Sequence, residues 1–324
     1  MTGRREFSGE RPVRILISAC LLGEKVRYDG GHKRDAFLSD TLGRFVEYVP
    51  VCPEVECGLP VPREAMRLVG DPASPRLLGA RSGDDHTERM ARWATRKMEE
   101  LAPLDLCGYI CKKGSPSSGM ERVKVYGPSG VPSRAGSGMF TKAFMDRFPL
   151  VPVEEEGRLQ DPVLREMFVE RVFTMRRFRN LVASGRTRGG LVAFHTGHKL
   201  LLLSHGRPRY EELGRLVARA KELPAGELYE RYQELLAAAL GQKATTAKCA
   251  DVLLHMAGHL KRVLDGDERR ELLDLVERYR KRLVPLVVPL TLLRHHVRKH
   301  RIQYLERQVF LDPHPVELML RNHV

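Results

Sequence analysis

The chain has 324 residues with 55 basic and 41 acidic side chains, a formal charge of +14. Its 42% hydrophobic and 30% charged content is a globular composition with ample material for a core, which excludes disorder as the main state. The longest apolar runs, at 15–22 and 285–293, fall short of the ~18–20 residues that span a bilayer, so no membrane-embedded chain is expected.

The N-terminal arginines followed by residues 15–22 imitate a secretory leader. The apolar stretch is too short, however, and charges resume at Glu24 without a small-residue cleavage pattern. It reads as a buried strand, and the chain as cytoplasmic, with six reduced cysteines that signal packing, metal or catalysis rather than disulfides. Short runs at Arg14–Ala19, Tyr48–Val51, Gly108–Cys111, Val123–Tyr126 and Pro149–Val153 predict strands, with helices at Asp85–Leu101 and Thr141–Phe148 between them. Several of these runs are almost continuously apolar, as strands covered on both faces are. The alternation predicts an open, mostly parallel α/β sheet. Gly127–Gly138, rich in Gly, Ser and Pro, reads as a mobile loop.

Asp161-Pro162 is a helix start, a capping side chain followed by proline at the first helical position. Beyond it everything has a helical pattern: Val163–Ala183, Gly190–Ser204, Tyr210–Lys221, Glu227–Ala239, Ala247–Leu264, Glu268–Leu283 and Leu290–His300. The expected organisation is an α/β domain over 1–160 and an all-α domain over 161–324, the latter with most of the excess positive charge.

Three polar loops follow strands of the first domain: one from Ser18 through Cys20 to His32, one from Cys52 to Pro60, and one from Lys113 to Gly119. Ligands of open α/β sheets bind outside the carboxyl ends of the strands, so these loops are expected at one crevice. Two of them deliver a cysteine there, and thiolates suit soft metals and iron–sulfur clusters. Glu54, two residues from Cys52, sits unfavourably beside a thiolate unless a metal or a proton-transfer task offsets the repulsion. The structural alternative is an ion pair from Glu54 to Arg27 or Arg63.

The motifs Ser18-Ala19-Cys20-Leu21-Leu22-Gly23, Val26-Arg27-Tyr28-Asp29-Gly30-Gly31, Cys52-Pro53-Glu54 with Gly58-Leu59-Pro60-Val61-Pro62-Arg63-Glu64, and Gly114-Ser115-Pro116-Ser117 with Gly119 resemble the TudS-like thiouracil desulfidase family over about residues 12–155. The remainder resembles the YbgA-like domain, through Arg176-Arg177-Phe178-Arg179-Asn180 and Phe194-His195-Thr196-Gly197-His198-Lys199. Together they resemble two-domain tRNA 4-thiouridine desulfidases of the RudS type. The resemblance implies a 4Fe-4S cluster held by three cysteines with one iron open to the thiocarbonyl sulfur, and replacement of that sulfur by oxygen from water. It places Cys20 and Cys52 at two ligand positions, Glu54 as the catalytic carboxylate and Ser115 as the catalytic serine. The third ligand position is Ser118 in this chain, leaving Cys57, Cys111 or Ser118 itself to complete the set.

The helical domain carries Arg171, Arg176, Arg177, Arg179, Arg186 and Arg188, then His198-Lys199, Arg207 and Arg209, with a second basic run at 294–301. Such clusters neutralise phosphates, and with the resemblance they make tRNA the expected partner; no protein partner is implied. Zinc at His195, His198 and His205 lacks a local cysteine or carboxylate, and His255 with His259 is no better supplied. Two other readings stay open: an RNA-binding protein without a cluster, and a desulfidase of free thiolated bases or nucleotides.

Overall fold

The computed structural model describes residues 12–323. They divide between Leu164 and Arg165 into two compact units.

The first unit contains, in chain order, β1 (Arg14–Ser18), β2 (Glu47–Val51), α1 (Pro53–Glu56), β3 (Met66–Val69), β4 (Arg76–Gly79), α2 (Thr87–Leu101), β5 (Gly108–Cys111), β6 (Val123–Tyr126), β7 (Pro132–Gly136), α3 (Met139–Arg147) and β8 (Val153–Glu155). Strands β2-β1-β5-β8 form an all-parallel sheet, with Ser18 opposite Val51 and Ile17 opposite both Pro50 and Ile110. This is the open parallel sheet that the alternating elements predict. Ile15, Leu16 and Ile17 have no solvent exposure, so β1 is covered on both faces, which explains its unbroken apolar sequence. Leu16 and Tyr109 pack on one face with Trp93 of α2 and Phe140 and Phe144 of α3.

A second sheet, β4-β3-β6-β7, combines two antiparallel pairs with one parallel pair. Its edge strand β7 lies where the sequence predicts a mobile loop. Antiparallel pairing with β6, across an irregularity between Val123 and Val125, orders this polar segment, whose residues 133–135 are exposed. The last strand falls at Val153–Glu155 rather than Pro149–Val153, because 149–152 precede the pairing with β5.

In the second unit follow α4 (Pro162–Ala183), α5 (Arg188–His205), α6 (Arg207–Ala218), α7 (Ala225–Leu240), α8 (Thr246–Leu260), α9 (Gly266–Arg280), α10 (Val287–Lys299) and the short α11 (Gln303–Glu306). Each of the seven predicted helices is present. Asp161 Oδ1 accepts from the Val163 and Leu164 amides, the cap that its sequence promises. Leu200–Leu202, Tyr232, Leu253, Met256 and Leu293 belong to one buried core. None of the helices among the described residues is long and apolar enough to cross a membrane.

Candidate active site

Both thiols hang from neighbouring strands of one ladder. β1 ends at Ser18, and the chain turns through Ala19–Leu22 into Gly23, whose φ of +102° lets its amide reach the Ala19 and Cys20 carbonyls. The Cys20 carbonyl also accepts from Lys33 at 2.9 Å, which brings the 24–34 loop back over the strand ends. β2 ends at Val51, directly before Cys52, and Pro53 opens α1. The third loop leaves β5 with the Lys112 amide donating to Ser18 Oγ at 3.0 Å. It is then clamped from the start of α3: Met139 N–H donates to Pro116 O, Phe140 N–H to Ser117 O, and Thr141 Oγ1 to Ser118 O at 2.7 Å.

The three loops enclose a cavity of about 390 Å³ whose lining includes Cys20, Cys52, Glu54, Ser115, Ser117 and Ser118 together with Arg27, Lys33, Arg63 and Lys112. Cys57 and Cys111 are not on this lining. The Cys57 thiol donates to Glu54 O at 3.2 Å and packs against the apolar core, whereas Cys111 is fully buried with its thiol on Glu154 O. Of the three residues left open for the third ligand position, only Ser118 faces the space that Cys20 and Cys52 face. Ser118 is 4% exposed and contributes to holding the buried Tyr109 phenol, with Ser18 and Thr141.

Glu54 is fixed from both sides. Arg63 pairs with its Oε2, and the Arg63 guanidinium also donates to Val26 O and Pro60 O, tying three segments together. Its Oε1 accepts from Ser117 Oγ at 2.8 Å, and Ser117 Oγ lies 3.0 Å from Ser115 Oγ. The ion pair to Arg63, open from the sequence as a structural alternative, is therefore present, and it offsets the charge of Glu54 beside Cys52 without a metal. Of the two partners open from the sequence, Arg63 and not Arg27 takes Glu54, and Ser117 is the site residue that sequence reasoning did not single out for a role.

Burial pushes the Cys20 thiol up to about 11, and Cys52 beside it pushes the same way, against Lys112 and Arg27. Burial also raises Cys52, with the backbone amide of Val55 opposing. A metal centre held by these two thiols would have to displace both protons. The donor set fits a 4Fe-4S cluster at these two corners and offers a hydroxyl at the third.

In the helical unit the expected nucleic-acid residues separate. Arg186, Arg188 and Arg207 are exposed, and Arg177, Arg179 and Lys199 are half-buried. Arg176 and His198 are only 3% and 4% exposed, so both are internal and present no surface to a macromolecule. The Arg188 guanidinium is occupied by the Ala220 and Leu223 carbonyls. His195, His198 and His205 serve the interior: His195 Nδ1 contacts Tyr232 Oη, His198 Nδ1–H donates to Phe194 O, and His205 lies between Glu170 and Gln242 O. They do not form a metal-ligating group.

Residues 15–156 match the 2-thiouracil desulfurase family, and residues 199–315 match DUF1722, a family of unknown function. An uncharacterised protein, YbbK of Bacillus subtilis (strain 168), is 31% identical over 113 residues, covering 32% of this chain and 72% of its own. The chain belongs to the 2-thiouracil desulfurase family. Its second half is similar to the uncharacterised YbgA of Escherichia coli (strain K12), the match being 29% identical over 153 residues, 47% of this chain and 90% of YbgA. A solved 4Fe-4S-dependent thiouracil desulfidase, TudS, is 34% identical across 46% of this chain and 93% of its own, with a TM-score of 0.38. This chain thus joins a unit of the desulfurase family to a YbgA-like helical unit.

Proposed function

We propose that the chain is an iron–sulfur-dependent desulfidase that replaces sulfur by oxygen in thiouracil of tRNA, converting 4-thiouridine to uridine in the cytoplasm. The observation that carries this reading is the shared cavity of Cys20, Cys52, Glu54 and Ser115 in a member of the desulfurase family.

Cys20 and Cys52 would hold a 4Fe-4S cluster, with Ser118 as an oxygen donor at the remaining protein corner. Such a group supplies a Lewis-acidic iron that polarises a thiocarbonyl. Glu54 accepts a proton from the attacking water, and its Oε1 is the basic atom because Oε2 is committed to Arg63. Ser117 passes that proton between Glu54 and Ser115, which faces the heterocycle as donor or acceptor. The C–S bond breaks, the C–O bond forms and sulfur leaves as sulfide, with no net redox change. Lys33 on the lining offers a positive charge to a nucleotide phosphate, while Lys112 is paired with Glu156 and Arg27 with Asp29.

The tRNA part rests on the basic helical unit. Arg207 is exposed and its partner Glu211 is 3.8 Å away; Arg186 is exposed and Glu230 is 3.9 Å away. Surface pairs this long contribute little and leave the guanidinium available to phosphate. The test is turnover of the anaerobically reconstituted chain on thiolated tRNA against free thiouracil. Preference for tRNA supports the reading, and equal turnover removes the RNA from it.

The Ser118 position favours one second reading, an RNA-binding protein without a cluster. A brown chain absorbing near about 400 nm supports the enzyme, whereas a colourless, anaerobically purified chain that still binds tRNA supports the binder.

A further inference from the structure

A second group of ligating side chains lies in the helical unit. Glu268 at the start of α9 and His296 and His300 at the end of α10 bring one carboxylate oxygen and two ring nitrogens within 4.8 Å of one another. The two histidines are four residues apart and so share a helix face, and α10 packs along α9. The capping box at Asp265 fixes Glu268, whose side chain accepts from the Asp265 amide.

The environment of His296 points to a ligand. It is 3% exposed, and neither of its ring nitrogens has a hydrogen-bond partner; His300 Nε2 is buried and unpartnered as well. Buried imidazole nitrogens normally find partners, because leaving them desolvated and unpaired costs free energy. Lys299 donates to Glu268 Oε1 at 2.6 Å. His295 stands next to His296, with ring centroids 5.4 Å apart.

We propose that Glu268, His296 and His300 form a binding site for a divalent transition-metal cation of the Zn²⁺ class, outside the thiouracil site. Two imidazoles and a carboxylate are a common zinc set, and a three-ligand site leaves one position open. Ligand bonds of about 2.0–2.2 Å bring donor atoms closer than 4.8 Å, so binding draws the three together and displaces the half-exposed Lys299 from Glu268. The metal would pin the end of α10 to the start of α9.

Titration of the cluster-loaded full chain with Zn²⁺, then with Co²⁺ as a spectroscopic probe, tests the site. The expected result is one equivalent of tight Zn²⁺ and Co²⁺ d–d bands without a thiolate charge-transfer band. Affinity falls at least about tenfold in Glu268→Gln and in His300→Asn, both partly exposed positions that avoid disturbing the core, and rises in Lys299→Ala, which lacks the competing ammonium. Absence of uptake by the wild-type chain, or uptake that both losses leave unchanged, overturns the proposal. Thiolate bands place the metal at the cysteines and overturn it equally.

Discussion

The Ser117 hydroxyl donates to Glu54 Oε1 at 2.8 Å, and on its other side lies 3.0 Å from Ser115 Oγ. The carboxylate and the serine that the resemblance makes catalytic are therefore not in direct contact but are joined by a third side chain. A proton moving between them passes through Ser117.

Ser117→Ala should lower kcat about 10–100-fold while leaving iron and sulfide content unchanged, since the residue is in the proton path and not on the thiol side. Restoration by Ser117→Thr, which keeps the hydroxyl, separates relay from packing. Glu54→Gln should abolish turnover with the same iron content.

Ser118→Cys should raise iron and sulfide per chain after anaerobic reconstitution and slow their loss to a chelator. A thiolate replaces a hydroxyl on the lining that Cys20 and Cys52 share. Unchanged metal content would show that Ser118 is not a ligand position.

Arg63→Ala should cost about 3 kcal/mol of stability, read from denaturant unfolding of the metal-free chain. Glu54 would lose its partner while only 15% exposed, and the Val26 and Pro60 carbonyls would lose a donor.

Gly138→Ala should reduce activity and cluster retention without unfolding the α/β unit. A Cβ there would lie 2.5 Å from the Ser117 carbonyl carbon and 2.6 Å from the Ser118 nitrogen, so the serine loop and the start of α3 have to shift against each other, which disturbs the Ser117–Glu54 contact. A fully active variant would show that the loop tolerates displacement.

The helical unit should lose stability in acid. Burial holds His195 down to about 4, His198 to about 3 and His314 to about 4, whereas an unfolded imidazole titrates near about 6.5. Between those values the unfolded chain binds protons that the folded chain refuses, so stability is intact above about pH 6.5 and drains away as pH falls toward about 4. Glu166, raised by burial, opposes this with a single proton. Thermal midpoints across this range measure the slope, and His195→Gln should flatten it.

The parallel sheet is legible because the centre of β1, Ile15–Ile17, and the buried β5 carry no charged residue, and the helices because their apolar period persists. The second sheet is not, since Ser133 and Arg134 in β7 are exposed and only the partner strand makes them a strand. Cys20 and Cys52 are legible as neighbours on one cavity because each lies at or just past the end of a strand that the sequence predicts. Ser117 is not, because nothing in Ser115-Pro116-Ser117-Ser118 says which hydroxyl meets Glu54. Arg176 and His198 mislead when read as charge alone. Helix phase places Arg176 on the stripe of Val169, Val172 and Phe173, and His198 on that of Leu191, His195, Leu201 and Leu202, each of them buried.

Ser18 and Val51 are paired in the ladder, and Cys20 and Cys52 follow them by two residues and one. The two thiols therefore leave the sheet at the same end of one ladder, so a slip of β1 against β2 would part them.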